Sequence, residues 1–280
     1  MKKVLINRNE VGLIIKNNAV KRVVTEGKYW LGFGESLERY DMADPFKVAH
    51  HLDVLLTIPG FEELVEIVEV LDNEIALMFK NKNFVGLLNA GRHVFWKGLD
   101  DLEFQIENME TLEVPASINK VYLRKDLFKA YVSRYQIEEF QGALLFVNGK
   151  FERELMAGEY FFWKNADVVQ VSIVDKRALY MEIPGQEILT KDKVQIRLNI
   201  GFQYQVKDIK MALLENQSFE SHLYVLMQMI VRTYVSDQTF DGLLENKDAI
   251  AKVILEEAKR SVQRLGIELI SMGIKDIILP

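Results

Sequence analysis

The chain has 280 residues, 49% hydrophobic and 27% charged, with a formal net charge of -6 and no cysteine. That length supports a sizeable core without disulfide or metal staples, and the composition excludes wholesale disorder. The acidic balance argues against a nucleic-acid partner, and the missing thiols exclude a disulfide framework, thiol catalysis and any thiolate-bound zinc or iron–sulfur site.

The start, Met1–Arg8, has two lysines, but its apolar stretch ends at once and makes no signal peptide. The longest apolar runs, such as Ala143–Val147 and Tyr160–Trp163, fall far short of the ~18 residues of a spanning helix. The expected location is cytoplasmic, or peripheral at a membrane.

Three segments of the first half align without gaps. Glu10–Asn17 runs on to Gly27–Trp30, Glu74–Asn81 to Gly91–Lys97, and Gln141–Asn148 to Gly158–Lys164. The repeat length is about 65 residues, longer than common solenoid units. Each copy predicts a β-hairpin. An apolar strand ends at Asn17, Asn81 or Asn148, and asparagine accepts the left-handed backbone of a two-residue turn. After the return strand, Gly27, Gly91 or Gly158 is expected at positive φ before an aromatic strand. Trp96 and Trp163 occupy equivalent positions; the first copy has Gly32 there and Trp30 two places earlier. These aromatics read as the core of each β-unit, with a row of surface aromatics touching membrane or partner as the alternative.

Between copies, Asp44-Pro45 predicts a capped helix carrying Phe46, Ala49, Leu52 and Leu56, stopped by Pro59-Gly60. Residues 112–131 are ambiguous, with Pro115 and Ser117 able to open a helix. From Gln186 the pattern changes. Val194, Ile196, Leu198, Ile200, Phe202, Tyr204 and Val206 alternate with mostly polar residues, which predicts a long strand in a sheet wet on one face. Ser218 can cap a helix to about Val235 that is apolar nearly all round, hence buried on several sides or shared with a partner. A second helix, 247–265, is amphipathic and ends at Gly266; a last strand runs from Ile267 to Leu279. The expected class is α+β, with β-hairpin repeats at 1–66 and 67–139 and an α+β domain at 140–280 whose first hairpin is the third repeat.

Several separated motifs in this second half carry a resemblance. Val147–Phe151, Gly158–Lys164, Ile183–Asp192 (Ile-Pro-Gly-Gln-Glu-Ile-Leu-Thr-Lys-Asp), Leu213-Leu214-Glu215, the helix through Leu226–Val235 and Ile274–Pro280 resemble, in order, the slipin and stomatin branch of the band 7 (SPFH, prohibitin-homology) family. The resemblance implies a non-catalytic scaffold that self-associates into a homo-oligomer at a membrane surface or beside an NfeD-type membrane protein. Such relatives carry an N-terminal hydrophobic segment and continue into a coiled coil; here hairpin repeats occupy residues 1–139 instead. Tandem β-repeats leading into such a domain also resemble the layout of the major vault protein, which builds a hollow cage.

Chemistry finds little support in the residues. His50, His51, His93 and His222 have no acid, thiol or hydroxyl partner at a recognisable spacing. His93 aligns with Tyr29 and Tyr160, which suggests an aromatic packing position. Gly32-Phe33-Gly34 is too short for a dinucleotide loop and no phosphate loop exists. Glu62-Glu63 and Glu256-Glu257 read as solvated charges. No enzyme activity, cofactor or metal is expected. The leading function is an oligomeric scaffold with an interface including Val225, Met229 and Val231, or else core packing at those positions. The alternative is a soluble adaptor whose hairpin repeats bind a protein partner through a strand edge.

Overall fold

The computed structural model describes residues 2–98 and 100–279. They divide into two compact units, Met1–Val132 with Trp163–Asn165, and Ser133–Phe162 with Ala166–Pro280.

Each repeat is a five-strand module rather than a three-strand hairpin. The first comprises β1 (Lys2–Ile6), β2 (Glu10–Lys16), β3 (Ala19–Val24), β4 (Gly27–Leu31) and β5 (Glu35–Asp41). The second comprises β6 (Val65–Val70), β7 (Glu74–Lys80), β8 (Asn83–Leu88), β9 (Gly91–Trp96) and β10 (Leu102–Asn108). The third comprises β11 (Val132–Ile137), β12 (Gln141–Val147), β13 (Lys150–Leu155), β14 (Gly158–Trp163) and β15 (Val169–Asp175). In every copy the first strand pairs with the fourth, and the second lies between the third and fifth. The two small sheets bury their apolar faces against each other. In the first module Val4, Ile6 and Leu31 meet Ile14 and Val24; in the second Val68 and Val70 meet Ala76.

Turn chemistry sets the register. Asn17-Asn18, Asn81-Lys82 and Asn148-Gly149 all have positive φ at both residues, the requirement of the hairpin turn whose twist matches the strands. One register shift follows the turn in each copy, between Ile14/Ile15, Met78/Phe79 and Leu145/Phe146. Gly27, Gly91 and Gly158 have positive φ as expected.

The stretch after β5 departs from expectation. The helix is only α1 (Leu52–Leu56). Asp41 accepts the Ala43 N–H and makes a turn, so Asp44 caps nothing. The extended chain before α1 lets Phe46 reach the ring of Trp96, 4.8 Å between centroids. Trp96 is buried among Tyr40, Phe46 and Phe61, in a cluster that also holds Val11 and Leu13 of β2. It therefore seals the second module onto the first instead of filling its own sandwich. Trp163 is also buried, its backbone N–H donating to Leu112 O. Further on, Asn119 rather than Ser117 caps a helix, α2 (Lys120–Leu123), and Ser117 donates to Glu107 instead.

The rest of the second unit is one antiparallel sheet with helices on one face. Strand β17 (Gln195–Val206) lies between β16 (Leu179–Leu189) and β18 (Ile267–Ile278). Helices α3 (Ile209–Leu213), α4 (Phe219–Ser236), α5 (Phe240–Glu245) and α6 (Lys247–Val262) connect β17 to β18. Ile196, Leu198, Ile200, Phe202, Tyr204 and Val206 are all buried under the helices. The other face is a polar ladder of Glu182–Lys275, Glu187–Arg197, Gln203–Ser271 and Gln205–Glu268 contacts. After α6, Gly266 sits at φ 70°, and a Cβ there would fall 2.3 Å from Asp208 O; only glycine fits this close backbone approach. The α+β class and the tandem β-modules thus stand, with two more strands in each repeat than the sequence signals.

Candidate interaction surface

Helix α4 begins at Ser218, whose hydroxyl accepts the Ser221 N–H. Phe219, Leu223, Met227, Val231 and Val235 recur every four residues and are buried. This stripe packs the helix against the sheet and α6. Leu226, Ile230 and Tyr234 flank it half-buried. Val231 is 0% exposed, so it belongs to the core and offers nothing to a partner. Val225 and Met229 lie one turn apart on the opposite side, 51% and 63% exposed. Of the three residues singled out on this helix, two reach the surface. A window apolar nearly all round cannot separate them from the third; the four-residue spacing of the buried stripe does.

The stretch Ile183–Asp192 ties the sheet to the helices. Gln186 is buried in β16, and its Oε1 accepts from Gln228 of α4 at 3.0 Å. Thr190, also buried, donates its hydroxyl to Asp192 Oδ1 at 2.6 Å. The same carboxylate accepts the Phe240 N–H, and Lys191 N–H donates to Gln238 O. The turn after β16 thereby fixes the start of α5. The Thr190 hydroxyl and then the Phe240 amide hold the Asp192 carboxyl below its usual range, because both bonds favour its charged form. Deeper in the fold, burial and then Glu220 push the Tyr204 phenol up to about 12. Both groups keep their ordinary charge near neutrality and serve packing.

Each histidine has its own partner. His50 Nε2 is 3.1 Å from Glu38, His51 Nδ1 is 3.6 Å from Asp53, and His222 Nδ1 is 3.2 Å from Asn216. His93 folds back over Gly91 and its Nε2 donates to Asn89 O at 2.8 Å. Tyr160 does the same over Gly158, donating to Met156 O at 3.0 Å. The aligned ring position is a clip on the preceding turn, which explains why histidine and tyrosine interchange there. Among the described residues no three His, Asp or Glu side chains are grouped to hold a metal ion.

Sequence reasoning reads Gly32-Phe33-Gly34 only as too short for a dinucleotide loop, yet Phe33 is 99% exposed. Trp30 is 55% exposed, as the surface-aromatic alternative has it, whereas Trp96 and Trp163 are buried. The available signal was the mismatch in the alignment: glycine stands at position 32 where the other copies place a buried tryptophan.

Comparison with known proteins places this architecture. Residues 135–280 match the SPFH domain / Band 7 family, a span that takes in nearly all of the third β-module with the helices and long strands. An uncharacterized protein of Methanocaldococcus jannaschii is 26% identical over 141 residues, 50% of this chain and 70% of that protein. A putative band 7 family protein of Acanthamoeba polyphaga mimivirus is 26% identical over 161 residues, covering 58% of this chain and 49% of its own length. Stomatin-4 of Caenorhabditis elegans is 21% identical over 144 residues, 51% of each. The chain therefore spans about half the length of the last two. No helix among the described residues is long and apolar enough to cross a membrane. With the matched span covering just over half of its length, the chain belongs to the SPFH domain / Band 7 family.

Proposed function

We propose that this chain is a non-catalytic scaffold of the slipin and stomatin type, self-associating into membrane-associated or cage-like assemblies. The observation that carries this reading is the Val225–Met229 pair. Two large apolar side chains stand exposed one turn apart on α4, on the side opposite its buried stripe. Such a pair gains free energy only when another surface covers it. The family supports a second copy as that surface, with a lipid bilayer or an NfeD-type membrane protein as the neighbour of the assembly. The test is light scattering on sized protein over a wide concentration range. A mass above the monomer that falls in Val225→Asp/Met229→Asp supports the scaffold. A monomer at every concentration, or an assembly indifferent to both substitutions, sinks it.

A further inference from the structure

The three β-modules share a scaffold, so equivalent positions can be compared directly. The outward face of the two-stranded sheet carries, at aligned positions, Lys3, Leu5, Lys28 and Trp30 in the first module and Ile67, Glu69, Arg92 and Val94 in the second. In the second module this face is satisfied internally. Arg92 bridges Glu69 at 3.2 Å and Asp53 at 2.6 Å. In the third, Arg134 and Glu159 stand at the positions of Lys3 and Lys28 and bridge at 2.6 Å. In the first module Lys3 and Lys28 form no ion pair among the described residues. Lys3 Nζ lies over the Trp30 ring, 5.9 Å from its centroid. Leu5 is 50% exposed beside them.

Phe33 follows β4 on a fixed turn, 99% exposed. Glu35 accepts the Gly32 N–H with Oε2 at 2.8 Å, and the Glu35 N–H returns to Gly32 O at 3.3 Å. The other Glu35 oxygen is neutralised by Lys21 at 2.8 Å. Gly34 takes φ 75°. The turn thus holds a phenylalanine out into solvent with no packing partner, although its backbone is pinned.

We propose that this face, Lys3, Leu5, Lys28, Trp30 and Phe33, is a docking surface for an anionic lipid bilayer. The chemistry is that of an interfacial anchor. Phenylalanine and leucine enter the acyl boundary, tryptophan settles at headgroup depth with its polar edge wet, and lysines reach the phosphates on flexible stems. Charge selects the occupant. The patch is cationic in a chain of net charge -6, so an anionic leaflet attracts this face while the rest of the molecule is repelled. The proposal rests on the membrane-associated part of the reading above and names the surface that makes contact.

The test is flotation of the full chain with mixed phosphatidylcholine/phosphatidylglycerol vesicles and with pure phosphatidylcholine vesicles, alongside tryptophan emission. Binding is expected to the anionic vesicles, weakened by salt, with a blue shift arising from Trp30, since Trp96 and Trp163 are already buried. Lys3→Ser/Lys28→Ser is expected to lower partitioning by about 30-fold, from two cations near the surface. Trp30→Ser/Phe33→Ser should abolish the blue shift and reduce binding to both vesicle types, with the far-UV melting curve unchanged. Failure to bind anionic vesicles overturns the proposal, as does binding that neither variant affects. A fall in assembly mass on Trp30→Ser/Phe33→Ser without vesicle binding would assign the face to a second copy and also overturn it. Light scattering of Val225→Asp/Met229→Asp reads the scaffold separately, so loss of one leaves the other standing.

Discussion

The first and second β-modules have the same five strands, the same pairing and the same turn, yet opposite surfaces. Cations outnumber carboxylates across residues 2–41 and are outnumbered across 65–108. The contrast extends to tryptophan. Trp96 is buried among Tyr40, Phe46 and Phe61, whereas Trp30 is half-exposed on an outer face. The backbone is fixed by a few turn residues and an inward stripe of Val, Ile and Leu. Everything outside that stripe is free to diverge, so one sandwich serves as an internal joint in one copy and leaves large apolar side chains exposed in another.

The largest expected effect breaks this contrast at its centre. Trp96→Ala removes a ring from a sealed joint and should destabilise the first unit by about 3–5 kcal/mol. Trp30→Ala should change stability by no more than about 0.5 kcal/mol. Denaturant midpoints of the two variants decide; equal losses would mean that exposure does not separate the two roles. A second experiment concerns the third module. Val11 and Ile75 are buried on the second strand of the first two copies, but Gly142 holds that place in the third. A Cβ there would lie 2.1 Å from Ile209 Cδ1, so the missing side chain makes room for α3. Gly142→Val restores the residue of the first copy and is expected to destabilise the second unit by about 1–3 kcal/mol, through overpacking. A neutral result would show that Ile209 swings aside freely.

Legibility followed the same division. The asparagine turns, the period-two strand Gln195–Val206, the Ser218 cap and Gly266 were all readable, because each rests on local backbone chemistry. The first and fifth strands of each module were not. Lys2–Ile6 and Glu35–Asp41 are short and flanked by charge, and their pairing partners, Leu31–Gly27 and Lys16–Glu10, are set by the closed sandwich rather than by local pattern. The helix expected from Asp44 failed because tertiary packing of Phe46 on Trp96 outweighed a cap signal. On α4, sequence alone placed Val225, Met229 and Val231 together; only the sheet beneath the helix separates the core residue from the surface pair. At Trp30 and Phe33 the sequence left two traces, the surface-aromatic alternative and a glycine where the sister copies carry tryptophan.

The smallest effect sharpens the comparison at its turns. All three copies hold two successive residues at positive φ, and the second of each pair is Asn18, Lys82 or Gly149, at φ 60°, 65° and 76°. Lysine is the worst suited of the three. Its Cβ crowds the backbone in the left-handed region, costing about 1–2 kcal/mol, while glycine escapes this and asparagine partly offsets it by local hydrogen bonding. Glycine also gives up more chain entropy on folding, about 0.5–1 kcal/mol. The difference predicts that Lys82→Gly stabilises the second module by up to about 1 kcal/mol, a rise of roughly 2–4 °C in Tm. Asn18→Gly should gain only a few tenths of a kcal/mol, because asparagine already tolerates the conformation. Thermal scans of the two variants set the order. A larger gain at Asn18 than at Lys82, or a loss at Lys82, would show that the lysine side chain contributes something the turn geometry does not reveal.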